Sequence, residues 1–187
     1  MNRILSLDIS SATIGWAVFD YDQITAYLID YGHFKPPTKK QAKDVLPVRL
    51  TGAVNFLEHL MNKYTFNEVV VEDYAKQFSK GRSQASTIIL LATFNELLGW
   101  VAYKKINKAV HRIPVTTIRS TIGKHYQTKI VSKDEIFPVI IKNCSIYKTK
   151  LNRAGNIKKE CGDEIDAIAC GMTWILKQTG GNLVWHI

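Results

Sequence analysis

The chain has 187 residues, 46% hydrophobic and 22% charged, with a formal net charge of +9. This is the length of one domain with a full core, here taken as residues 1–187, and the composition of an ordinary soluble globular protein. No apolar run is expected to reach the roughly 20 residues of a membrane span, a strand predicted from the third residue leaves no room for a signal peptide, and three cysteines without C-x-x-C spacing exclude a disulfide framework or a zinc knuckle.

Residues 3–9, 13–20 and 23–34 are predicted as three strands, and their short connections make an antiparallel meander. Pro36-Pro37 breaks the pattern. Leu46, Leu50, Val54, Leu57 and Leu60 then recur at helical spacing and predict a helix over 42–64, with Pro47 near its first turn. Residues 68–72 read as a short central strand, because Val69, Val70 and Val71 are β-branched. A loop over 78–83 leads into a long helix, 84–105, whose apolar residues Ile88 to Val101 cover more than one core-facing stripe. Part of that surface is expected to meet another subunit.

Residues 109–114 predict a fifth strand. Ser132-Lys133-Asp134-Glu135 has the form of a capping box and opens a helix to about residue 143, and a final helix over 162–178 stops at Gly180-Gly181. The expected fold is α/β, a mixed five-stranded sheet of three antiparallel strands followed by parallel strands, flanked by helices.

The positive charge is unevenly placed. Residues 103–133 contain no acid but hold Lys104, Lys105, Lys108, Arg112, Arg119, Lys124, Lys129 and Lys133, and Lys148, Lys150, Arg153, Lys158 and Lys159 follow. With a pI near 9.4, this favours a polyanionic partner, nucleic acid first.

Four acids stand out against that background. Asp8 interrupts the apolar strand around Leu5 and Leu7, where a carboxylate is costly without a charged partner or a metal. Glu72 ends the valine run, at the strand end where open α/β sheets place ligands. Asp163 and Asp166 stand at i and i+3 and share one face of the final helix. Carboxylates converging from two strands and a helix repel one another, and a divalent cation resolves the conflict. An oxygen-only set suits Mg²⁺ or Mn²⁺, and two such ions about 4 Å apart support in-line phosphodiester displacement.

Residues 4–8, Ile-Leu-Ser-Leu-Asp, with Thr13-Ile14-Gly15-Trp16-Ala17-Val18, then Val70-Val71-Glu72, then Asp163-Glu164-Ile165-Asp166, resemble the RuvC family of Holliday-junction resolvases, of the ribonuclease H fold. The first motif also resembles the start of the RuvC-like domain of RNA-guided DNA nucleases. The resemblance implies that Asp8, Glu72, Asp163 and Asp166 are metal ligands for two ions, Mg²⁺ or Mn²⁺, and that water attacks to leave a 5′-phosphate and a 3′-hydroxyl. It implies a homodimer acting on four-way junctions, here through the helix around 84–105, in the cytoplasm of a bacterial or phage-infected cell. Arg119, Lys124 and Lys133 fall where the family keeps basic residues, with Lys133 preferred as the catalytic cation, and Lys129 is a further candidate DNA contact. Departures are Ile9-Ser10-Ser11, where bacterial members have Pro-Gly, and Ala75 at the position of their aromatic wedge. Tyr74 or Phe78 is the candidate replacement, and Phe78 with Lys80 and Arg82 is a candidate DNA contact.

Competing readings are a sugar-kinase-type ATPase, disfavoured by length and by the absence of a Gly-rich adenosine loop, a non-catalytic junction-binding module, and a nuclease for RNA or RNA–DNA hybrid. His111 is read as a core or strand-end residue. His125 is open between phosphate contact and solvated loop. Glu164 is read as helix-dipole decoration.

Overall fold

The computed structural model describes residues 1–74, 85–154, 158, 160–181 and 183–187, with Lys133 described by its backbone alone. Three antiparallel strands open the chain: β1 (Asn2–Ile9), β2 (Ile14–Tyr21) and β3 (Thr25–Phe34). They are followed by α1 (Leu46–Lys63), β4 (Glu68–Asp73), α2 (Ala85–Ile106), β5 (His111–Pro114), α3 (Val115–His125), α4 (Lys133–Asn143), α5 (Glu160–Thr179) and β6 (Val184–His186). The sheet runs β5-β4-β1-β2-β3-β6, with β4 parallel to β1, β5 parallel to β4 and β6 parallel to β3.

The alternation of side chains along the central strands divides the core into two. Ile4, Ser6 and Val70 face α5, while Leu5, Leu7, Val69 and Val71 face α1 and α2. The α5 layer is the tighter one. Ser6 Oγ donates to the Ala167 carbonyl at 2.6 Å, and a Cβ on Gly171 would come within 2.5 Å of the Phe19 ring, so the helix backbone rests directly on β1 and β2.

Three sequence expectations need correction. The sheet has six strands because Val184–His186 pairs with the outer edge of β3, a run of three residues too short to read as a strand by pattern. Helix α3 was not expected, since Val115, Thr116 and Thr117 are β-branched and poor helix formers; burial of Ile118, Ile122 and Gly123 overrides that preference. Helix α2 does have the length and apolar composition of a membrane span, over Ala85–Ile106. One face of it, with Phe94, Leu98, Val101 and Ala102, is nevertheless built into the domain core.

Helix α1 begins four residues later than expected, after turns at Lys43 and Asp44 whose φ angles are 49° and 59°, with Pro47 in its first turn. The capping residue Glu135 accepts hydrogen bonds from Val131 N at 2.6 Å and Ser132 N at 3.2 Å, and Gly180 and Gly181, at φ 71° and 91°, end α5 in the left-handed conformation that glycine favours.

Candidate functional site

Asp8 is the next α5-facing position of β1 after Ser6, and the α5 N-terminal turns lie over it. Carboxylate oxygens of Asp8, Asp163 and Asp166 lie within 4.8 Å of one another. Asp8 and Asp163 are half-buried and Asp166 is buried. What permits this approach is Gly15, the β2 residue opposite Asp8: a Cβ there would stand 2.0 Å from the Asp163 carbonyl oxygen.

Glu72, expected as the fourth ligand, is not part of this close group and lies beside it on β4. Leu7 pairs with Val71 in parallel register, so the next residues, Asp8 and Glu72, are neighbours on the same face. A fully buried thiol, Cys170, lies beneath them. Burial pushes its pKa well up, and the charges of Glu72, Asp8 and Asp166 push in the same direction.

The strand end that carries Asp8 is held from behind. Asn95 of α2 donates to the Ile9 carbonyl at 3.1 Å, and Arg49 of α1 donates to the Ser11 carbonyl at 2.6 Å. Ser10 closes the turn after β1 with its own side chain, its Oγ accepting from Thr13 N at 2.9 Å and donating to Thr13 O at 2.8 Å.

Three carboxylates this close repel by roughly 3 kcal/mol per pair at an effective dielectric near 20. All the donors are hard oxygens, with no histidine or thiolate in the set, so the residues fit Mg²⁺ or Mn²⁺.

The structure describes some of the basic and aromatic candidates. Tyr74 lies just past β4; its hydroxyl donates to Glu96 at 3.2 Å, and the Arg112 guanidinium stands 5.8 Å from its ring centre. Phe78, Lys80 and Arg82 lie outside the described residues, as does the side chain of Lys133, which begins α4. Arg119 Nη1 donates to the Val131 carbonyl at 3.3 Å, and Lys124 and Lys129 are exposed at the end of α3 and in the connection beyond it. His111 of β5 stacks on Trp174 of α5, and His125 packs edge-on against Tyr126, where burial lowers its pKa.

The reading of Glu164 as surface decoration is overturned. Its side chain is 0% exposed and meets His33 Nδ1 at 2.7 Å, Lys150 Nζ at 2.9 Å and the Tyr147 hydroxyl at 3.0 Å. A signal was present in the sequence: Glu164 shares its helix face with Cys161, Ile165 and Ile168, all buried. The bond to Glu164 raises the pKa of Lys150 and keeps it a cation, and burial pushes that of Tyr147 far up, with Cys161 and Glu164 adding to it.

A mixed sheet with an antiparallel opening and parallel strands after it, flanked by helices, is a ribonuclease H-like α/β fold. No family model matches the chain and no curated protein matches its sequence. Solved structures do match. RuvC of Thermus thermophilus, in complex with Holliday junction substrate, superposes with a TM-score of 0.67 over 97% of this chain and 98% of its own, at 13% identity. The yeast mitochondrial Holliday junction resolvase gives 0.64 over 93% and 78%, at 12% identity. The fowlpox virus resolvase, in complex with Holliday junction DNA, gives 0.51 over 94% and 98%, at 17% identity.

Proposed function

We propose that the protein is a metal-dependent, structure-specific endodeoxyribonuclease that resolves four-way DNA junctions by paired nicking as a homodimer. The observation that carries this reading is the meeting of Asp8, Asp163 and Asp166 within 4.8 Å, on a fold shared with junction resolvases. A basic chain, at +9 overall, that concentrates acids in one place is suited to holding cations against a polyanion.

Asp8, Asp163 and Asp166 would hold Mg²⁺ or Mn²⁺, with Glu72 completing the set on the β4 side. When bound, two such ions supply Lewis-acid stabilisation of the attacking and leaving oxygens of a phosphodiester. The chain's own part is to fix the carboxylates. β1 and β4 supply Asp8 and Glu72 from a hydrogen-bonded pair of strands, and α5, pressed onto Gly15, supplies the other two. A pre-set acid cluster gives up little free energy to reorganisation as charge develops on the phosphate.

Ile89, Trp100 and Tyr103 of α2 are 66%, 58% and 47% exposed and lie along one helical stripe, which supports α2 as the contact between protomers. Lys133, at the first position of α4, remains the proposed cation for the scissile phosphate, with Arg119, Lys124 and Lys129 as DNA contacts.

The test is cleavage of labelled four-way, three-way, flap, linear duplex and RNA–DNA hybrid substrates with Mg²⁺. The expected result is paired nicks in the four-way junction that DNA ligase reseals, and none with Asp8→Asn. Preference for linear duplex or hybrid, or no cutting of any substrate, would overturn the proposal.

A further inference from the structure

Lys148, Lys150, Arg153 and Lys158 lie between α4 and α5, and buried Glu164 fixes where they sit. Lys150 reaches it directly, and Tyr147 reaches both Glu164 and, at 3.3 Å, the Cys161 carbonyl. The backbone is fastened as well: Lys158 N donates to Lys150 O at 2.9 Å, Cys161 N to Lys158 O at 3.0 Å, and Lys148 N to the Tyr31 hydroxyl at 2.9 Å. These bonds hold a run of cations against the first turn of the helix that carries Asp163.

The side on which they are held matters. Glu164 faces His33 of β3, so the run lies on the β3 side of α5, whereas Glu72 lies on the β4 side of Asp8. Nucleic acid with a phosphate at the acid cluster, continuing from β4 toward β3, meets this run next. Glu164 takes up the charge of Lys150, while the side chains of Lys148, Arg153 and Lys158 are exposed. Exposed cations beside the acid cluster, on backbone that is hydrogen-bonded at Lys148, Lys150 and Lys158, suit a phosphate contact, since part of the ordering cost is met in folding.

We propose that Lys148, Arg153 and Lys158 form a phosphate-binding arm for the DNA strand flanking the acid cluster, anchored through Lys150 and Tyr147 to Glu164. This rests on the nuclease reading above and adds a contact surface to it.

The experiment measures equilibrium binding of a fluorescent four-way DNA junction, with Ca²⁺ in place of Mg²⁺, across a series of salt concentrations. The arm variant Lys148→Ala/Arg153→Ala/Lys158→Ala is compared with Lys63→Ala/Lys108→Ala/Lys177→Ala. The latter removes the same charge from exposed positions at or beyond the C-terminal turns of α1, α2 and α5, at the opposite end of the sheet. The arm variant is expected to bind at least about tenfold more weakly near 0.1 M salt and to lower the log–log salt slope by roughly 2 to 3, with little change in the other variant. Equal losses in the two variants overturn the arm and leave the nuclease reading standing. Failure of the unaltered protein to bind any nucleic acid overturns both. Should the triple variant melt early, Arg153→Glu alone carries the same comparison, and unchanged affinity there overturns the arm.

Discussion

The carbonyl oxygen of Asp163 occupies the space that a side chain on Gly15 would need, 2.0 Å from where its Cβ would stand. Gly15 is also the partner of Asp8 across the β1–β2 ladder, so a single contact sets how closely the helix acids approach the strand acid. Gly15→Ala is expected to push the α5 N-terminus outward, cost about 1–3 kcal/mol by overpacking, and lower the melting temperature by roughly 2–4 °C per kcal/mol. Metal affinity and cleavage should fall with it. Gly162→Ala is the counterpart, because nothing lies within 4 Å of a Cβ there. That change should leave stability unaltered or raise it by up to about 1 kcal/mol. Thermal melts and Mn²⁺ titration of the two variants check the contrast.

The acids should separate by role. Asp8→Asn or Asp166→Asn removes a ligand from the three-carboxylate set and is expected to reduce cutting by at least about 100-fold while junction binding persists. Glu72 stands one strand further out, so Glu72→Gln should retain one bound Mn²⁺ where the unaltered protein binds two. Calorimetric titration counts the ions. An Asp8→Asn protein that cuts at the native rate would remove Asp8 from the centre.

The acids were legible because each breaks a local pattern: Asp8 interrupts an apolar strand, Glu72 ends a valine run, and Asp163 with Asp166 keeps helical spacing. What brings them together was not legible. Gly15 reads in sequence as one more small residue of a hairpin, and its meaning depends on a helix that arrives near the end of the chain. Glu164 was misread for a related reason. An acid at a helix start has a ready local explanation in the dipole, and that explanation obscured its apolar neighbours Cys161, Ile165 and Ile168. Helix α3 escaped because tertiary burial overrides propensity there, and strand β6 because three residues are too short a run to show a pattern.

Glu164→Gln keeps the shape of the side chain and removes its charge. The bond from Lys150 then loses its ionic character, and that from His33 its carboxylate partner, in a site that is 0% exposed at the acid end. The expected cost is about 1–3 kcal/mol in urea unfolding. Amide exchange at Lys150 and Cys161 should speed up, because the fastening of the arm depends on the same carboxylate. Unchanged exchange in a destabilised variant would show that Glu164 supports the core without holding the arm.

Acid should loosen the start of α4. Glu135 accepts backbone hydrogen bonds from Val131 and Ser132, which lower its pKa below the ordinary 4.5. A folded-state value below the unfolded one means that the stabilisation is complete above about pH 4.5 and is lost as pH falls through the lowered value. Glu135→Gln should therefore melt below the unaltered protein at pH 7, and the gap should close toward pH 3. A gap that persists at pH 3 would assign the effect to side-chain packing.

The dimer proposal makes its demand on α2. Trp100 is 58% exposed and borders a groove of about 430 Å³ with Met61, Val101 and Lys104, a place for a side chain from a second copy. Trp100→Glu puts a charge where an apolar contact is proposed, at a position whose exposure leaves the fold of the protomer intact. Sedimentation velocity should show a dimer for the unaltered chain and a monomer for the variant. On junction DNA the variant should nick one strand at a time where the unaltered protein cuts two together. An unaltered chain that sediments as a monomer both free and on DNA would end the α2 dimer, and with it the account of paired nicking.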